Sequence, residues 1–301
     1  MKKNFILKRV HVELLAALND YGCLDTLYIY EHFFKNVTVR RCQQVLAILA
    51  ENGLTYHAKL LATFVPKNKN VPQTKRVPAL NYLSADGAKL LLSETGTMPN
   101  RVLNSRPQPY TLLHRWDQTK TRLALDRSLS EIGEPLPEWI LESDVRSDLP
   151  DQTPPNKRFV LYHSFEEGTN SFSCIPDAAC SFVLDGRQWL VHFEHDRSTE
   201  SKQQITRKAK GLNALLERQP FVRYWPTIEK DAKIRLFWTV LSKQRMKSIC
   251  TAIEAYPRVL KCSRFLIKAN DANIGKDGID KRQLVTEPVF YMPDGTAVSL
   301  R

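Results

Sequence analysis

The sequence predicts a two-domain protein of mixed α and β structure, a small helical module with a basic hairpin followed by an α/β domain. Three observations predict it. A chain of 301 residues is long enough to bury two hydrophobic cores. The first 95 positions hold three helical stripes and then two short strand patterns around a basic tip. Beyond about residue 110, apolar strand-like runs alternate with amphipathic helical stretches, the pattern of an α/β domain.

In the first module, Val10, Leu14, Leu15 and Leu18 form a helical stripe over 8–20, ended by Tyr21-Gly22. Asp25 or Thr26 caps a second helix that runs through Phe34. Thr38 caps a third, VRRCQQVLAILAEN, stopped at Gly53. Its inward residues are Val45, Leu46 and Leu49, with Cys42 beside them, while Arg40, Arg41, Gln43 and Gln44 crowd its first turns. A helix that reads duplex DNA meets base edges and phosphates with such N-terminal residues. Leu54–Ala58 and Ala79–Leu83 read as strands flanking a basic tip with Lys67, Lys69, Lys75 and Arg76. Ser84 then caps ADGAKLLLSE. Three helices, a basic hairpin and this tail resemble a winged helix, whose wing touches phosphate or the minor groove. Domain boundaries are read as 1–95, a Pro- and Asn-rich linker at 96–110, and 111–301.

The second domain opens with a long amphipathic helix carrying Leu112, Leu113, Trp116, Leu123, Leu125 and Leu129 and ending near Gly133. His114 on it reads as a packing or capping residue. Trp139-Ile140-Leu141 starts a strand that carries Glu142 and Asp144, and Phe159–Tyr162 reads as another. The centre of the domain is SFSCIPDAACSFVLDGRQWLVHFEHD, two strands closed by Asp185-Gly186. Asp-Gly between apolar runs signals a two-residue type I′ turn, which needs positive φ at both positions. That turn sets Leu184 opposite Arg187, Phe182 opposite Trp189, Cys180 opposite Val191 and Ala178 opposite Phe193, an apolar face. On the other face Ala179 meets His192 and Asp177 meets Glu194, with Asp196 further along beside Ile175. Two facing carboxylates about 5 Å apart repel unless a cation or a shared proton lies between them. A divalent metal such as Mg²⁺ or Mn²⁺ suits such oxygen ligands.

Ser198 caps a following helix over 199–217, with Ile205, Ala209, Leu212, Leu215 and Leu216 buried and Lys202, Gln204 and Lys208 toward the carboxylates. KIRLFWTVL (233–241) is a buried strand, Ser242 caps KQRMKSICTAIEAY, Arg258-Val259-Leu260 reads as a strand, and Asp294-Gly295 turns a terminal hairpin.

These residues carry a resemblance. Ile-Pro-Asp at a strand start, a hairpin, Glu-x-Asp and a basic helix resemble the core of PD-(D/E)XK nuclease-like domains. More narrowly, PDAA…FEHDRSTES…K resembles the plasmid replication-relaxation family, which joins a winged helix to a restriction-endonuclease-like α/β domain. The resemblance implies double-stranded DNA as partner, replication or mobilisation proteins alongside it, and a homodimer among its assemblies. It implies metal-dependent nicking, with Asp177 and Glu194 holding Mg²⁺ or Mn²⁺ and Asp196 serving as a third ligand or orienting Arg197. The motif has Lys two residues after the Glu, where this chain has Asp196; Lys208 is the candidate to supply that cation. The alternative is a non-cleaving platform for DNA or a partner protein.

Composition narrows the classes. Hydrophobic and charged fractions of 43% and 25% are ordinary for a globular protein. The net charge is +12, and residues 1–120 hold 17 Lys+Arg against 8 Asp+Glu, so the basic excess is N-terminal and points to a polyanion. Six scattered cysteines make no Cys-x-x-Cys pair, which speaks against a zinc ribbon or redox motif. Phosphate-loop, dinucleotide-binding and Gly-x-Ser-x-Gly motifs do not occur. His192 and His195, three apart on a strand, face opposite ways and do not share a metal. The expected setting is cytoplasmic, without membrane attachment.

Overall fold

A computed structural model describes residues 6–59, 61–64, 73–76, 78–99, 109–146, 148–150, 152–198, 200–268 and 282–301. They divide into two units, one up to Arg122 and one from Leu123.

In the first unit, α1 (Arg9–Tyr21) buries Leu14, Leu15 and Leu18 and ends at Gly22. β1 (Leu24–Asp25) leads into α2 (Thr26–Phe33). Of the two candidate caps it is Asp25 that accepts from the Leu27 and Tyr28 amides, at 2.8 and 2.9 Å, while Thr26 Oγ1 donates to the Ala79 carbonyl. α3 (Val39–Glu51) is capped by Thr38, whose hydroxyl accepts from the Arg41 amide at 3.2 Å. Cys42, Leu46 and Leu49 face the core and Val45 is half-buried. β2 (Thr55–Ala58) precedes β3 (Leu61–Phe64), β4 (Gln73–Arg76), β5 (Leu80–Leu83) and α4 (Ala85–Thr95), the last capped by Ser84. β5 is the middle strand of an antiparallel sheet ordered β1-β5-β2. β3 and β4 form a separate hairpin that sets Ala62 opposite Lys75 and Leu61 opposite Arg76.

α5 (Pro109–Glu131) gives its first part to this unit, where Leu112 and Trp116 pack with Cys23, Ala58, Leu80 and Tyr82. The division between the two units falls inside α5, between Arg122 and Leu123.

The second unit is a seven-stranded mixed sheet. Its strands are β6 (Glu138–Leu141), β9 (Ala178–Leu184), β10 (Arg187–His195), β11 (Lys233–Val240), β12 (Ser263–Ile267), β13 (Phe290–Tyr291) and β14 (Ala297–Val298), while β7 (His163–Glu167) and β8 (Asn170–Cys174) form a hairpin apart from it. The spatial order is β14-β13-β12-β11-β10-β9-β6, with β10, β11 and β12 parallel. The parallel steps are made by α6 (Lys202–Arg218), then α7 (Lys243–Ile253) and α8 (Pro257–Cys262). Ile205, Leu212 and Leu215 of α6 pack with Met246, Ile249, Leu190, Leu236 and Trp238 on one face. Leu125 and Leu129 of α5 cover the other with Leu284, Val285 and Leu300 of the tail. The hairpin register is the one the two-residue turn requires, from Leu184–Arg187 to Ala178–Phe193. Asp185 (φ 51) and Gly186 (φ 71) both take the positive φ of that turn.

Four local readings are corrected. Phe159–Tyr162 is no strand beyond an isolated bridge from Val145 to Phe159; the strand begins at His163. β9 begins only at Ala178, so Asp196 has no strand neighbour at Ile175: Pro176 has no amide to give a ladder. Arg258-Val259-Leu260 lies in α8, because Pro257 at the first helical position is preset for a helical turn. The cap of α6 is likewise Ser201 and not Ser198: its hydroxyl accepts from the Gln204 amide, and the Gln204 side chain accepts from the Ser201 amide at 2.7 Å.

Candidate functional site

Three neighbouring strands end together. Leu141 of β6 pairs with Ala178 of β9, and Ala178 pairs with Phe193 of β10. The next residues are Glu142, Asp177 and Glu194. The Glu142 amide donates to the Asp177 carbonyl at 3.2 Å, and the Asp177 amide to the Phe193 carbonyl at 3.0 Å. Carboxylate oxygens of Glu142 and Asp177 lie within 4.8 Å of each other. Asp177 Oδ2 accepts from the His195 amide at 2.6 Å, which fixes its orientation. Glu194 is 1% exposed, and its Oε1 has no hydrogen-bond partner.

Lys208, one turn and a half into α6, brings its ammonium to 2.7 Å from Glu194 Oε2 and 3.0 Å from Glu200 Oε1. Burial pushes the Glu194 carboxyl up to about 8; Asp177 and Glu200 add to the rise and Lys208 opposes it. Burial disfavours the Lys208 charge, yet Glu194, Asp177 and Glu200 together hold it well above its ordinary value. A buried carboxylate oxygen with no partner, beside a second and a third carboxylate, suits a hard divalent cation.

Asp196 is turned elsewhere. Arg245 of α7 grips it in a two-pronged pair, Nε to Oδ1 at 2.8 Å and Nη2 to Oδ2 at 2.6 Å, and the Ser198 amide donates to Oδ1 at 2.7 Å. Arg245 also donates to the Glu200 carbonyl at 2.8 Å. Both Asp196 oxygens are thus engaged by Arg245 where β10 has ended at His195. Lys202 and Gln204 do not reach the carboxylates: Lys202 is exposed, and Gln204 closes the α6 cap.

Glu142, Glu200 and Arg245 were not among the sequence candidates. Glu142 had a legible signal, an acid directly after a strand pattern, but its neighbour in the sheet was not readable. Arg245 lies 49 residues from Asp196, and no local spacing joins them.

In the first unit Arg40, Arg41, Gln43 and Gln44 are all exposed on the first turns of α3, and Arg41 Nη1 donates to Gln44 Oε1 at 3.3 Å. Lys75 and Arg76 lie on β4. Lys67 and Lys69 lie outside the described residues. Among the described residues no helix is long and apolar enough to cross a membrane.

Fold and site define the class, an α/β protein whose central strands end in clustered carboxylates paired with a helix lysine. The replication-relaxation family model matches residues 15–228, well over half of the chain, and the chain belongs to that family. No curated protein matches. Among solved structures the chain is similar to the restriction endonuclease FokI bound to DNA, at 10% identity and a TM-score of 0.25, covering 86% of this chain and 66% of that one. It is also similar to FokI restriction endonuclease in a second structure, at 8% identity and a TM-score of 0.21, covering 77% of this chain and 56% of that one. The chain thus spans less than two thirds of either.

Proposed function

We propose that this protein binds double-stranded DNA of a mobile element and nicks it in a metal-dependent step during plasmid replication, relaxation or mobilisation. The observation that carries the reading is the Glu142–Asp177 carboxylate pair beside the Glu194–Lys208 ion pair, at the ends of three adjacent strands. Asp177, Glu194 and Glu142 are the residues that would hold Mg²⁺ or Mn²⁺, which supplies Lewis-acid polarisation of a phosphoryl oxygen. Lys208 takes the place of the motif lysine: its ammonium is held by Glu194 and Glu200 and stays protonated, ready to steady negative charge on the phosphate. Arg245, through Asp196 and the Glu200 carbonyl, positions the loop that carries Glu200. In this reading the first unit is a winged helix, α3 enters the major groove with Arg40, Arg41, Gln43 and Gln44, and the β3–β4 hairpin that carries Lys75 and Arg76 lies on the backbone.

The test is a supercoiled plasmid carrying the element's origin, incubated with and without Mg²⁺ or Mn²⁺. The wild type nicks only with metal, and Asp177→Asn and Lys208→Ala each abolish nicking while DNA affinity is kept. Metal-independent nicking, or full nicking by either variant, overturns the assignment. A second reading has one observation in its favour. Asp196, at the motif's lysine position, is committed to a buried pair with Arg245. A protein that binds DNA but never nicks, with any metal, is the platform of that reading.

A further inference from the structure

The basic charge of the second unit is concentrated in one stretch. From 232 to 268 the chain carries Lys233, Arg235, Lys243, Arg245, Lys247, Arg258, Lys261, Arg264 and Lys268, with Glu254 the lone acid. Three of these cations share one sheet face. Lys233 is opposite Trp189 and Arg235 opposite Val191, and Arg264 is opposite Phe237. The Lys233 ammonium sits 4.5 Å from the centroid of the Trp189 ring, and the Arg235 guanidinium 5.7 Å from it, so two positive charges cover one buried indole. Arg235 donates to the Ile234 carbonyl of its own strand, and Arg264 to the carbonyls of Lys261 in α8 and of Ser263 at its own strand start.

Among the described residues no carboxylate forms an ion pair with Lys233, Arg235 or Arg264. Asp185 and Asp231, at the same end of the hairpin, are engaged by Arg301 and Arg187. All three cations are half-buried, and like charges held so cost free energy that a bound polyanion returns. Burial, then the neighbouring cations, lower the affinity of Lys233 and Arg264 for their protons. The field extends round the strand starts: Arg235, Arg264, Lys261 and Arg258 all act on the Cys262 thiol. Five residues of strand separate Trp189 from Glu194, about 17 Å, so this strip is not part of the carboxylate site.

We propose that Lys233, Arg235 and Arg264, extended by Arg258 and Lys261, form a second docking strip for the phosphodiester backbone of nucleic acid. The inference rests on the reading of this protein as one that acts on DNA, and adds a contact outside both the first unit and the carboxylate cluster. Guanidinium forks match phosphate oxygens, and a row of cations without carboxylates matches a dense line of phosphates.

The test is fluorescence anisotropy of the full chain with labelled random-sequence duplexes, from 50 to 200 mM salt. The variants are Lys233→Gln/Arg235→Gln/Arg264→Gln and, leaving the sheet untouched, Arg258→Gln/Lys261→Gln on exposed positions of α8. The triple variant is expected to bind tenfold or more weakly at low salt, equally for all sequences, with a slope of log affinity against log salt shallower by roughly 2–3. The double variant changes the slope by roughly 1–2 in the same direction. Poly-glutamate of equal charge competes poorly, and inorganic phosphate only far above the DNA concentration. Unchanged affinity and slope in both variants overturn the strip, as does poly-glutamate binding that exceeds DNA binding, which assigns it to an acidic protein. If Arg40→Ala/Arg41→Ala weakens binding and the strip variants do not, the strip falls and the proposed function stands. A wild type that binds no DNA removes both.

Discussion

Burial sets the protonation of Glu194. Its folded pKa of about 8 lies above the ordinary 4.5, because burial disfavours the carboxylate. The folded state therefore keeps a proton that the unfolded chain has lost, and this stabilisation is full below the unfolded value and fades as pH rises toward 8. His163 and His192, buried and joined through the Tyr224 hydroxyl, work in the opposite direction. Burial lowers both to about 3, so their contribution is complete above 6.5 and is lost as pH falls. Between pH 6.5 and 8 only the Glu194 trend remains of the two. The metal-free protein is expected to lose melting temperature across that window, and Glu194→Gln to flatten the loss. Parallel curves for the two proteins would rule out Glu194 as the source. Arg245→Ala, by contrast, strands the buried Asp196 carboxylate and costs about 3 kcal/mol, measurable by urea unfolding at pH 7. Arg245→Lys recovers only part, because an ammonium cannot make both prongs.

At the scale of elements, α6 is held against β8 by the absence of a side chain. A Cβ on Gly211 would stand 2.8 Å from Cys174 Cβ and 3.3 Å from the Ser173 carbonyl oxygen. Alanine is the better helix former by about 1 kcal/mol, yet here it must push α6 off the β7–β8 hairpin. Gly211→Ala is expected to lower stability and, because Lys208 rides on the same helix, to weaken nicking as well. A stabilised variant would mean the hairpin gives way freely. On α3, Thr38→Ala removes the hydroxyl that caps the Arg41 amide and costs about 1 kcal/mol. The helix start that carries Arg40, Arg41, Gln43 and Gln44 frays with it, so the same variant is expected to weaken DNA binding.

For the molecule as a whole, the proposed metal site links metal to fold. A divalent ion bound there would stabilise the native state by mass action, by about 2.7 kcal/mol at a hundredfold excess over its dissociation constant. A thermal shift is expected for the wild type and not for Asp177→Asn. That variant keeps an oxygen to accept the His195 amide, and so is no less stable without metal. A shift of equal size in both proteins would place the ion elsewhere. The charge reading of the whole chain also changes: the N-terminal surplus is real, but the near-neutral balance of the remainder conceals the basic stretch from Lys233 to Lys268.

Local chemistry determined what the sequence alone could determine. Asp185-Gly186 demanded positive φ at two successive residues, and that fixed the register which sets Asp177 and Glu194 at adjacent strand ends. Thr38, Ser84 and Ser242 announced their helices because a cap bonds amides within three residues. Where two local rules competed, as at Ser198 and Ser201, or at Pro257, the reading failed by a few residues or in element type. Tertiary structure alone decided which charges meet. Lys208 pairs with Glu194 because α6 lies back across β10, and Asp196 pairs with Arg245 because α7 starts beside the end of that strand. Glu142 joins them through a sheet neighbour 36 positions further along the chain, Ala178, next to Leu141. Burial then set the charge of Glu194, for a carboxyl's affinity for its proton depends on the solvent it has lost, which no spacing along a chain records.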